Sequence, residues 1–133
     1  MANLKELSER VFRDLSVGVD AAPSVTFSPP NREGYVEVLL QDESGMGAGF
    51  IVNPSASEAE VLFEMAYRIP DAYVEFYVVG LPVVPGTERP AAPKIVSNTV
   101  VWEDPDENGT WSCPVGQYRR AWERWREEEH RRE

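Results

Sequence analysis

Cysteine and histidine occur once each in this chain of 133 residues, as Cys113 and His130, and lysine twice, as Lys5 and Lys94. A lone cysteine cannot form an internal disulfide. A lone histidine removes metal clusters that need several, and because His130 stands in a charged run near the end of the chain, no Ser/His/Asp or Cys/His arrangement is singled out. Cysteine or serine nucleophiles normally need such a neighbouring base. No run approaches the roughly 18–20 consecutive apolar residues of a membrane span. No apolar block with a small-residue cleavage site follows the N-terminus, so the cytoplasm is the expected compartment. Basic residues are scarce, 13 Lys and Arg against 23 Asp and Glu, for a net charge of −10. A surface of that sign does not bind nucleic-acid phosphates or anionic lipid unaided, so neither direct nucleic-acid binding nor a membrane partner is expected.

Hydrophobic residues make up 42% of the chain, enough for a packed core. The length fits a single domain over residues 1–133. Charge is unevenly spread. Residues 1–114 hold 7 basic and 18 acidic residues, a balance of −11, whereas residues 115–133 hold 6 Arg and 5 Glu, a balance of +1. The acid belongs to the body, and the C-terminal segment has the mixed signs of a solvated helix face.

Periodicity places the elements. Leu4, Leu7, Val11 and Leu15 form a helical stripe behind an Asn3 cap with Glu6 three residues on, and Gly18 supplies a stop. Ala21–Gly34 reads as a connector with an extended piece at Val25–Phe27. Tyr35–Gln41 alternates as a half-buried strand and pairs through the Asp42–Gly47 turn with Ala48–Asn53. Ser55 and Ser57 compete to cap a helix carrying Val61, Leu62, Met65 and Ile69, which Pro70 should close. Ala72–Val79 alternates again, and its β-branched and aromatic residues predict a strand. The proline-rich Leu81–Pro93 predicts a long loop. Lys94–Glu103 reads as the longest strand, with Trp111–Cys113 as its hairpin partner. The chain then ends in a helix over 118–133 with Tyr118, Trp122 and Trp125 on one stripe. The order α-β-β-α-β-β-β-α predicts an α+β fold: a mainly antiparallel sheet of about five strands covered by three helices in a two-layer sandwich.

Gly45-Met46-Gly47-Ala48-Gly49 lacks the third glycine of a dinucleotide fingerprint and the Lys-Ser/Thr of a phosphate loop, and a strand follows it. It reads as a hairpin turn. Asp104, Asp106, Asn108 and Gly109 fall on positions one, three, five and six of a calcium loop, but position twelve, the bidentate Glu, is Val115. The segment therefore reads as an acidic Asn-Gly turn, and no metal or cofactor is expected. Trp102 and Trp111 flank this turn and can pair across strands beside its carboxylates. Aromatic faces next to carboxylates suit Arg and Lys side chains of another protein.

The expected binding residues are thus Trp102, Glu103, Asp104, Asp106, Glu107 and Trp111, with Leu81–Pro93 as a second contact. These features favour a non-enzymatic, acidic protein-binding domain that masks a basic partner, as an inhibitor or immunity protein masks a cationic enzyme. Two other classes compete: a small-molecule binder with a pocket lined by Tyr73, Tyr77 and Met65, and an enzyme working through carboxylates alone.

Overall fold

The computed structural model describes residues 3–16, 23–77, 82–106 and 109–132, with the side chains of 73–77 and of residue 132 outside that description. Its elements, in chain order, are α1 (Leu4–Leu15), β1 (Ser24–Phe27), β2 (Val36–Gln41), β3 (Gly47–Val52), α2 (Glu58–Tyr77), β4 (Ala92–Val96), β5 (Thr99–Glu103), β6 (Ser112–Pro114) and α3 (Tyr118–Arg132). The fold is α+β, as expected. The single five-stranded sheet is replaced by two antiparallel meanders, β1-β2-β3 and β4-β5-β6.

Three local differences account for the change. The extended piece at Val25–Phe27 is a strand, with Val25 opposite Leu40 and Phe27 opposite Val38. Pro70 does not end α2, which continues to Tyr77, so the strand expected over 72–79 is helical through residue 77, and its last two positions lie outside the described residues. Pro70 has no N–H to give to the Ala66 carbonyl, a defect worth about 3 kcal/mol in an isolated helix. Here Met65, Ala66, Ile69, Pro70 and Ala72 are all buried on one face, and that burial offsets the loss. The long strand expected at 94–103 is a hairpin, β4 and β5, turned by Ser97 and Asn98 at φ +49° and +67°. Two successive positive φ values are those of the tight turn that matches strand twist.

Capping is local and follows sequence. Asn3 Oδ1 accepts the Glu6 N–H, and of the two competing serines it is Ser57 whose Oγ accepts the Glu60 N–H. The Gly18 stop lies outside the described residues, and α1 closes with Ser16 N–H donating to the Phe12 carbonyl. The glycine-rich segment is a hairpin turn in which Asp42 accepts from the N–H groups of Ser44 and Met46 and from the Ser44 hydroxyl. Those donors, led by the hydroxyl, hold the Asp42 carboxyl below its ordinary value.

The two helices α1 and α2 pack against each other, and α2 also packs against β3, β4 and β5. Val36, Val38 and Leu40 of the first sheet and Val100, Trp102 and Cys113 of the second join Leu7, Val11, Val61, Met65 and Ile69 in one continuous core. α3 docks on α1 and β6. No helix among the described residues is long and apolar enough to cross a membrane.

Candidate functional site

The Trp-flanked acidic turn folds inward more than its sequence suggests. Trp102 is only 1% exposed. Its Nε1–H donates to Asp14 Oδ2 at 2.6 Å, an oxygen that also accepts the Gly116 N–H at 2.5 Å, while Asp14 Oδ1 accepts the Tyr118 N–H at 3.1 Å. Asp14, itself 1% exposed, thus joins α1 to β5 and supplies a negative group at the N-terminus of α3, where the helix dipole favours it. Burial pushes the Asp14 carboxyl above its ordinary value, against the pull of these three donors.

Asp104 is also engaged. Its carboxylate accepts two bonds from Arg89, Nε at 3.2 Å and a terminal nitrogen at 2.7 Å, and one from the Asp106 N–H at 2.9 Å. This fork-to-fork pairing holds the Asp104 carboxyl below its ordinary value. Glu103, half-buried, lies 3.7 Å from Lys94 Nζ. Trp111 stands opposite Asp104 rather than Trp102, because the register places Trp102 across from Cys113. Trp111 packs edge-on against Tyr118 at 6.2 Å instead. Asp106 is exposed, and Glu107 lies outside the described residues. The structure therefore takes Trp102 and Asp104 into internal packing, half-buries Trp111 against Tyr118, and leaves Glu103 in part and Asp106 exposed.

The other expected contact, the 81–93 loop, is anchored. Tyr118 Oη donates to the Val83 carbonyl at 2.7 Å and accepts the Val83 N–H at 3.1 Å, and Val83 forms a bridge with Pro90. Met65 is fully buried, and the side chains of Tyr73 and Tyr77 lie outside the described residues, so Met65 does not line an open pocket. Cys113 is buried, and burial, aided by the Asp14 charge, pushes its thiol up to about 12. At pH 8 the native protein is expected to react with iodoacetamide at least about 100-fold more slowly than the unfolded chain. A native rate within about tenfold of the unfolded one would show the thiol to be accessible and ionised.

An acidic surface lies elsewhere, on the outer face of β1-β2-β3. In β2 the residues Val36, Val38 and Leu40 point into the core, which turns Tyr35, Glu37, Leu39 and Gln41 outward. Glu37 is paired with Ile51 of β3, and Ile51 is 57% exposed. Met46 at the hairpin tip is 61% exposed, and Tyr35 is also open to solvent. Leu39 lies over Gly47 and Gly49, where side chains would meet its Cδ1 within 3.5 and 3.7 Å. Glu33, Glu37 and Glu43 are charged neighbours along the same hairpin. From Glu33 to Tyr67 the chain holds seven carboxylates and no Lys or Arg. That basic-free stretch was the available sequence signal, but strand alternation alone does not tell which face remains uncovered.

Among the described residues no buried side-chain nitrogen or oxygen lacks a hydrogen-bond partner. The buried ionisable groups Asp14 and Asp104 are committed to holding elements together, and the outer sheet face sets exposed Ile51 beside the Glu37 carboxylate. Such a surface can pair with apolar area and cations on another molecule. The chain matches no family model, no curated protein and no solved structure.

Proposed function

We propose that this protein is a non-enzymatic binding domain that engages a basic protein partner through the outer face of the β1-β2-β3 sheet. An inhibitor or immunity protein masking a cationic enzyme is one biological form of this activity. The observation that carries the proposal is the cross-strand pair of Glu37 and exposed Ile51, on a basic-free hairpin that also carries Glu33, Glu43 and exposed Met46. Apolar side chains supply buried area on docking. The carboxylates steer a cationic partner and discriminate against acidic ones, with the net charge of −10 adding a long-range component.

The test is capture from a lysate and culture medium of the source cells on the immobilised full chain, with bound proteins identified by mass spectrometry. A basic protein is expected to bind at about 0.05 M NaCl and to be released by about 0.5 M. The double variant E37K/I51K is expected to lose at least about tenfold of that retention, because a like charge replaces an attractive one at the centre of the face. Both positions are solvent-facing, so the variant's thermal unfolding should stay close to that of the parent. Retention indifferent to salt and to E37K/I51K, or no basic protein retained, would overturn the proposal.

A further inference from the structure

A concave surface lies beside α3, which packs on α1 and β6 rather than on the β1-β2-β3 sheet. Gln117, Arg120, Ala121, Arg124, Trp125 and Glu128 recur at three- and four-residue spacing, so they share one side of the helix. That side faces Trp111–Pro114, and the two walls enclose a groove of about 570 Å³. Beneath it, Cys113 is buried, so the groove has an apolar floor.

The tryptophans that line it are held in place. Trp111 meets Tyr118 edge-on at 6.2 Å, Tyr118 meets Trp122 at 6.4 Å, and Trp122 meets Trp125 at 5.2 Å. Tyr118 is fixed by its two bonds to Val83. Gly86, at φ +81°, brings the loop backbone against the Trp125 indole so closely that a Cβ would lie 3.3 Å from its ring. Indoles immobilised this way lose little freedom when a ligand stacks on them.

The rim is cationic although the chain as a whole is acidic. Arg120 and Arg124 stand one turn apart, and neither forms a hydrogen bond or ion pair with a described residue. By contrast, Arg10, Arg68 and Arg89 are each paired with carboxylates. Glu128, one turn beyond Arg124, is the one carboxylate of the lining and disfavours an anion at that end. The free edge of β6 adds polar groups. Asp104 N–H bonds the Trp111 carbonyl, and Val115 N–H bonds the Val100 carbonyl. The alternation of an antiparallel ladder then turns the Ser112 backbone amide and carbonyl away from β5.

We propose that this groove binds a small organic anion, with an aromatic body stacked on Trp111 and Trp125 and an acidic head group held between Arg120 and Arg124. Guanidinium groups offer forked donors that match carboxylate, sulfonate and phosphate oxygens. Indole faces favour a flat partner, and a groove of this size accommodates a molecule of two or three rings. The site is independent of the sheet face assigned to a basic partner.

The test titrates the full chain with 1-anilinonaphthalene-8-sulfonate, an aromatic anion, and with N-phenyl-1-naphthylamine, its neutral counterpart, following probe fluorescence. One saturable site is expected for the anion. R120E/R124E, which changes solvent-facing positions, should weaken the anion by at least about tenfold while the neutral probe changes by less than about twofold. Trp125→Ala should weaken both probes. Absence of saturable binding to millimolar anion, or equal affinity in R120E/R124E, would overturn the assignment. So would a neutral probe weakened as much as the anion by the charge reversal.

Discussion

Replacing Asp14 by alanine is expected to lower the free energy of unfolding by about 3–5 kcal/mol, measured by chemical denaturation. The substitution strips the partner from three donors at once, Trp102 Nε1–H and the N–H groups of Gly116 and Tyr118. Each buried donor left unpaired costs about 1–3 kcal/mol, and release of the carboxylate's own desolvation returns part of that. Asp14→Asn should cost far less, about 1–2 kcal/mol. Its carbonyl oxygen can keep both Trp102 and Gly116, and only the Tyr118 N–H then faces an amide nitrogen. A loss for D14A no larger than that for D14N would show that the bonds to Trp102 and Gly116, which Asn can keep, contribute little.

The same residue sets a pH dependence. The Asp14 carboxyl is raised above 3.8 on folding, chiefly by burial, so the folded protein binds its proton more tightly than the unfolded chain does. Stability from this group therefore falls as pH rises from about 3.8 through the folded value, and D14N should flatten that part of the profile. Asp104 acts in the opposite direction. Its carboxyl is lowered by Arg89, so its contribution is present above 3.8 and is lost as pH falls through the folded value.

Gly109→Ala is the second large effect expected, a loss of about 1–3 kcal/mol from overpacking. A Cβ there would lie 2.5–2.6 Å from Asp104 Cγ, Cβ and Oδ2. The short Asp104 side chain has no room to yield without leaving Arg89 and the Asp106 N–H, which hold it from the other side. The glycine is required here by close approach of another side chain. Thermal unfolding of G109A alongside Asp104→Asn checks the mechanism: the two losses should be strongly sub-additive in the double variant, since both release the same clamp. Additive losses would place the cost elsewhere.

Much of the architecture was readable from local pattern. The Asn3 and Ser57 caps, the Leu7–Val11–Leu15 stripe, the β2–β3 hairpin around Asp42 and the aromatic stripe of α3 are properties of neighbouring residues, and short-range chemistry suffices for them. The errors fell where distant burial decides. Pro70 reads as a helix end until the buried face running through Met65, Ile69 and Ala72 is seen to continue past it. Ser97-Asn98 carries no glycine, so the turn that splits 94–103 into β4 and β5 was hidden within an apolar run. The candidate sites moved for the same reason. Trp102 and Asp104 look like surface groups beside a turn, but their partners Asp14 and Arg89 stand 88 and 15 positions away.

By itself, the sequence determined the α+β class, the main helical stripes, the acidic body and the near-neutral C-terminal helix, all consequences of composition and short-range periodicity. Tertiary structure decided which charges are spent and which remain open. It paired Asp14 with Trp102 and Asp104 with Arg89, divided the strands into two sheets, and left Ile51 beside Glu37 in solvent. The physical reason is that a carboxylate's role depends on its desolvation and on which donors reach it, and both are set by residues far away in the chain.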